Sequence, residues 1–179
     1  MARRASPPEG RHDVADVMVQ AAPQAVATAD GSAPSLGEVN LGALGQVLGF
    51  HLARAAVETH TLFERHVGIP LKLRKVEYSL LLLLLANGAL TPKRLGRALA
   101  LTAPNLTLLL DRLVQRGLLR RERSLTDRRS QNIVLTDAGR SLAETGAAAA
   151  PAMERDLLAR LSPAERLMLI ELLRKVADR

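Results

Sequence analysis

The sequence predicts a mainly α chain with one small β-hairpin: a helix-turn-helix closed by a two-stranded wing, with long helices at both ends. Three observations carry that reading. Between Thr91 and Leu135 the apolar period changes from helical to alternating. The 179 residues are rich in Leu and Ala, with 2% aromatic residues and no Trp, which favours helix over strand. The formal net charge of +7 is concentrated in that same segment. Residues 91–135 hold ten Lys/Arg against three Asp/Glu, whereas 1–40 net to −2, 41–90 to +2 and 136–179 to zero.

Residues 1–38, rich in Ala, Pro, Gly and Ser, read as a flexible N-terminal extension. Val14 to Val26 is long enough for a short helix there, and Arg3 and Arg4 form a candidate basic arm. Residues 39–179 make the folded domain. From Leu41 to about Val67, Leu41, Leu44, Leu48, Leu52, Ala55, Thr59 and Leu62 keep a helical rhythm. Gly42, Gly45 and Gly49 weaken its first turns, and Gly68 and Pro70 are expected to end it.

A second helix runs from about Leu73 to Asn87. Its leucine run, Leu80 to Leu85, falls far short of the ~20 residues that span a bilayer, so a buried helix is expected and no membrane partner. Thr91 followed by Pro92 starts a third helix: a hydroxyl to cap free N–H groups, then a residue whose fixed φ suits the first turn. Thr102 caps a fourth, with Pro104 tolerated in its first turn. Leu106, Leu109, Leu110 and Leu113 form its buried stripe, and Gly117 suits a left-handed cap. The few residues between these two helices force a sharp angle, which is the helix-turn-helix plan.

Beyond Gly117, Leu119, Arg121 and Arg123 alternate with Arg120, Glu122 and Ser124. On the return, Ile133 and Leu135 alternate with Asn132 and Val134. The hairpin tip holds Asp127, Arg128 and Arg129, and a cationic hairpin beside such a helix pair is a wing. Thr136 caps a long helix from Asp137, in which Pro151 is a potential kink. Ser162-Pro163-Ala164-Glu165 combines cap, first-turn proline and capping-box glutamate. It starts a last helix to about Ala177, with Leu167, Ile170 and Leu173 on its apolar stripe.

At these residues a family becomes recognisable. The run Asp127-Arg128-Arg129, followed by a strand and Leu135-Thr136-Asp137-Ala138-Gly139, resembles the DNA-binding core of the MarR (multiple antibiotic resistance regulator) family. Asp111, Arg112, Leu113, Gly117, Leu118 and Arg121 also match, while Leu108 stands where the family often has a polar or basic residue. The resemblance implies a cytoplasmic transcription factor, bound as a homodimer to a pseudo-palindromic operator in double-stranded DNA. It implies a winged lobe over 73–139 and dimerisation helices over 41–67 and 140–179. The surplus apolar faces of the terminal helices point to the same association. It also implies a repressor released by a phenolic or aromatic-acid effector, held between the dimer helices and the DNA-binding lobe.

Candidate DNA contacts follow from the helix wheel. With the leucine stripe turned inward, Pro104, Asn105, Leu108 and Arg112 point outward. Asn105 suits an adenine edge or a phosphate, and Leu108 a thymine methyl. Thr102 and Thr107 are candidate phosphate contacts, as are Lys93, Arg94 and Arg97 on the preceding helix. Arg129 matches the family arginine that enters the minor groove, Arg128 is a phosphate or sugar contact, and Asp127 is acceptor-only and fixes the wing. His51, Arg54 and Tyr78 are candidates to orient an acidic effector.

Other classes find little support. There is no cysteine, hence no disulfide framework and no cysteine-based peroxide sensing. Met1 to Gln20 lacks the continuous apolar stretch of a signal peptide. No nucleophile elbow or phosphate loop occurs, so no enzyme and no cofactor is expected. His51, Glu58 and His60 share a helix without metal-site spacing, so no metal is expected either. The alternatives to a ligand-responsive repressor are a constitutive winged-helix regulator and a protein-interaction adaptor. An adaptor has no need of a basic wing.

Overall fold

The computed structural model describes residues 35–36, 39–123 and 131–177. The expectations placed on Arg3, Arg4, Val14 to Val26 and the wing tip with Asp127, Arg128 and Arg129 lie outside them. The chain divides between Arg54 and Ala55 into two compact units.

In the first unit, β1 (Ser35–Leu36) pairs antiparallel with β2 (Val39–Asn40), a ladder the sequence did not announce. A 3-10 turn over Gly42–Gln46 follows, and α1 (Leu48–Phe63) begins here. The expected helix start at Leu41 is therefore too early. Gly42 adopts φ +49°, in the left-handed region open to glycine, and its N–H donates to Asn40 Oδ1 at 2.8 Å. That turn consumes the segment before a helix can propagate.

The second unit holds the remaining elements. After Phe63 the chain widens into a π-turn, Glu64–Gly68, and continues as α2 (Ile69–Leu71). Gly68 and Pro70 do not end the helix as expected. Lys72 does, with φ +52°. The physical reason is a shift of register: Ile69 N–H bonds back to Glu64 O, five residues away. Pro70, which has no N–H, then falls in a first turn, where none is needed.

α3 (Lys75–Asn87) starts where the Glu77 carboxylate accepts the Arg74 N–H at 2.9 Å. Its leucines build the core: Leu80 and Leu81 are wholly buried and Leu84 nearly so. Side chains of this kind each contribute about 1.5–3 kcal/mol on burial. α4 (Pro92–Ala98) is capped by Thr91, whose hydroxyl accepts the Arg94 N–H at 3.4 Å. α5 (Ala103–Gln115) follows a tight turn that carries Ala100 at φ +51°. Thr102 occupies the N-cap position of α5 without making the side-chain bond expected of it.

Gly117, at φ +69°, ends α5 as expected. Its N–H reaches Val114 O at 2.9 Å and Leu118 N–H reaches Leu113 O at 3.0 Å, the paired bonds of a Schellman cap. β3 (Leu119–Arg123) and β4 (Gln131–Leu135) pair antiparallel, Leu119 opposite Leu135 and Arg123 opposite Gln131. Leu90 and Ile133 exchange backbone bonds at 2.8 and 3.2 Å and bring the chain ahead of α4 against β4. Val134 is buried as well as Ile133 and Leu135, so β4 does not show the two-sided alternation that its sequence suggests.

Thr136 Oγ1 accepts the Gly139 N–H at 3.0 Å and donates to Gly117 O at 2.7 Å. One hydroxyl thus starts α6 (Asp137–Leu157) and ties it to the end of α5. Pro151 lies inside α6, which continues to Leu157. In α7 (Pro163–Ala177) the Ser162–Glu165 capping box forms in both directions, at 2.8 and 3.3 Å. No residue of α7 is buried. Among the described residues no helix is long and apolar enough to cross a membrane.

Candidate nucleic-acid interface

The second helix of the pair sorts its residues by face. Leu106, Leu109, Leu110 and Leu113 are buried, whereas Thr102, Pro104, Asn105, Thr107, Leu108 and Arg112 are exposed. On that outward face Leu108 leaves a large apolar side chain 65% exposed. Core packing does not explain it. Asn105 makes no side-chain bond among the described residues, so its amide keeps both donor and acceptor for a base edge. The Thr107 hydroxyl donates back to Ala103 O at 2.9 Å, which leaves its lone pairs for incoming donors.

On α4, Lys93, Arg94 and Arg97 are exposed. No carboxylate among the described residues lies within ion-pair distance of any of the three. Cations without a carboxylate partner among the described residues, on the helix next to an exposed polar helix face, suit phosphates. The base of the wing is held separately: the Arg121 guanidinium pairs with Asp111 of α5, and Arg120 pairs with Glu122 at 2.7 Å.

Arg112 is not independent. Its Nη1 lies 3.7 Å from Glu77 Oε1, and Arg116 Nη1 donates to Glu77 Oε2 at 3.2 Å. Arg116 Nη2 also donates to Lys72 O at 3.1 Å. Sequence reasoning gave Glu77 no role. It is the one charged residue buried among the described residues, at 2% exposure. The available signal was a carboxylate in the first turn of a leucine-rich helix, together with two arginines spaced i, i+4, Arg112 on α5 and Arg116 at its C-cap.

The three effector candidates divide between the two units. Tyr78 is buried, its ring 5.7 Å from that of Phe63 and its hydroxyl 3.4 Å from Gly146 O. Burial raises its phenol pKa, and the Glu154 charge raises it further. Tyr78 lines a cleft of about 220 Å³ with Phe63, Lys75, Ser79, Met153 and Glu154, all in the second unit. His51 and Arg54 belong to the first unit. There a His51 ring nitrogen lies 3.0 Å from Gly45 O, and the Arg54 guanidinium sits 5.9 Å above the Phe50 ring. No group of three His, Asp or Glu among the described residues is placed to hold a metal ion.

A larger groove of about 900 Å³ runs between α6 and α7, lined by Ala147, Ala150, Leu158, Leu161, Leu167 and Ile170 among others.

Comparison with known proteins agrees with this geometry. The sequence model of the MarR family matches residues 73–131. The transcriptional repressor CouR, solved bound to a 23-mer DNA duplex, is 34% identical with a TM-score of 0.71, over 78% of this chain and 99% of that one. BpsR of Bordetella bronchiseptica, whose DNA binding is regulated by 6-hydroxynicotinic acid, is 28% identical with a TM-score of 0.69, over 75% of this chain and 95% of that one. The HTH-type transcriptional regulator PecS of Dickeya dadantii is 39% identical over 108 residues, 59% of this chain and 65% of PecS.

Proposed function

This chain belongs to the MarR family of DNA-binding transcriptional regulators, and from that premise we propose that it is a homodimeric repressor released from its operator by a small phenolic or aromatic acid. The observation that carries the DNA-binding half is the outward face of α5, which offers Asn105, Leu108 and Arg112 while the leucine stripe packs inward. A helix so divided has its base-reading groups ready and its own packing complete. Lys93, Arg94 and Arg97 supply the phosphate contacts beside it. By resemblance to the family, Arg129 enters the minor groove and Arg128 contacts phosphate or sugar; both lie outside the described residues.

The dimer is supported by α7, where Leu167, Met168, Leu172 and Val176 are all more than half exposed. Residues 73–139 then act as the DNA-reading lobe, and 41–67 and 140–179 as the association helices. The effector is supported by the Tyr78 cleft, where a phenol and the Lys75 ammonium flank a mostly apolar space. CouR is a repressor and BpsR answers to a hydroxylated aromatic acid, and both resemble this chain along most of its length. Such a protein acts in the compartment that holds the chromosome.

The test separates reading from holding. Asn105→Ala should cost about 1–3 kcal/mol at the operator and relax the choice of base at one position. Arg94→Ala should weaken all duplexes alike and lower the salt slope by about one unit. Equal behaviour of the two variants across sequences would reject α5 as the reading helix.

A further inference from the structure

We propose that Glu77 is a positioning residue for DNA recognition, acting from α3 through Arg112. The inference rests on the proposed role of Arg112 at DNA. It begins with a buried carboxylate at 2% exposure, which must be compensated by hydrogen bonds and opposite charge. Oε2 receives the Arg74 N–H at 2.9 Å and Arg116 Nη1 at 3.2 Å. Oε1 faces Arg112 Nη1 at 3.7 Å, within ion-pair reach but beyond a hydrogen bond.

The two arginines are therefore held differently. Arg116 is fixed at both ends of its guanidinium, by Glu77 and by the Lys72 carbonyl at 3.1 Å. It anchors the last turn of α5 to the start of α3. Arg112, one turn earlier on the same side, is oriented by the field of the carboxylate and donates no side-chain hydrogen bond among the described residues. Its side chain is 44% exposed, against 33% for Arg116. When Arg112 engages DNA, Arg116 and the Arg74 N–H still compensate Glu77, so no buried charge is stranded. A single carboxylate thus fixes one arginine and aims the other. An aimed guanidinium reads a particular guanine edge or phosphate, whereas a freely swinging one contacts any phosphate within reach.

The full-length chain, an operator selected from random duplexes, and an unrelated duplex of equal length provide the test. Glu77→Gln keeps an oxygen for the Arg74 N–H and removes the charge. It should lower operator affinity about tenfold and leave affinity for the unrelated duplex equal or higher, so that the specificity ratio falls. Adding Glu77→Gln to Arg112→Ala should cause no further loss of that ratio, because the effect passes through Arg112. Equal losses on both duplexes would mean a merely structural role and overturn the proposal, as would additive losses in the double variant. If Arg112→Ala alone leaves operator binding intact, the role of Arg112 fails first, and the inference fails with it. Should Glu77→Gln not fold, Arg112→Lys serves in its place: it keeps the charge and loses the planar fork. The same selective fall in ratio supports the proposal, and equal loss on both duplexes overturns it.

Discussion

Gly139 sits where no side chain fits. A Cβ built there would collide with the Leu118 carbonyl oxygen and crowd its Cα at 3.3 Å, all of them backbone atoms that cannot swing aside. Gly49, near the start of α1, has open space around the same position and an ordinary φ. Two identical substitutions should therefore have opposite signs. Gly139→Ala should cost about 1–3 kcal/mol or more, because α6 must part from Leu118, whose carbonyl oxygen accepts the Thr136 N–H at 3.1 Å. Gly49→Ala should gain about 0.4–1 kcal/mol by reducing unfolded-chain entropy. Denaturant midpoints at constant slope measure both, and equal midpoints for the two variants would refute the reading. From sequence, Gly139 was visible as the last letter of a motif. Its reason was not, because the contact that excludes a side chain comes from Leu118, across the base of the hairpin.

At the scale of elements, local chemistry was legible and long-range chemistry was not. Thr91-Pro92, Gly117, Thr136 and Ser162 to Glu165 start or stop helices where their short-range hydrogen bonds demand. The π-turn at Glu64–Gly68 was hidden, because a shift to i, i+5 bonding leaves no local composition signal. The burial of Glu77 was hidden too, since its two arginines lie on another helix. The α7 cap makes a testable case of the local kind. The hydrogen bond from the Ser162 N–H, with that from its hydroxyl, holds the Glu165 carboxyl below its usual range. A depressed folded value means that the capping contribution is present above the ordinary glutamate value of about 4.3 and is lost as pH falls through the lower folded value. Fraying of α7, followed by amide exchange at Glu165 and Arg166, should therefore increase below pH ~4 in the native chain. In Glu165→Gln it should not depend on pH there. A parallel rise in both proteins would remove Glu165 as the cause.

For the whole molecule the question is how a cleft at Tyr78 reaches DNA read by α5. In the proposed dimer, two recognition helices must meet successive major grooves roughly 34–36 Å apart. An effector can release the operator only if it binds the DNA-incompetent state more tightly than the DNA-bound one. The first turn of α3 is where that preference can arise. Lys75, Tyr78 and Ser79 line the cleft, and Glu77 between them holds Arg112 and Arg116 of α5. A ligand that moves this turn moves the anchor of the reading helix. A ~100-fold preference corresponds to about 2.7 kcal/mol, within the usual range of coupling energies. Reciprocity then requires operator DNA to weaken effector binding by the same factor. Aromatic acids chosen by thermal shift supply the probe, titrated once into free protein and once into the protein–operator complex. The expected result is a ligand affinity lower in the complex by the factor through which the ligand weakens operator binding. In Tyr78→Ala the difference between the two titrations should vanish along with tight binding. Equal affinities in the two titrations of the native chain would refute the coupling, however tightly the acid bound.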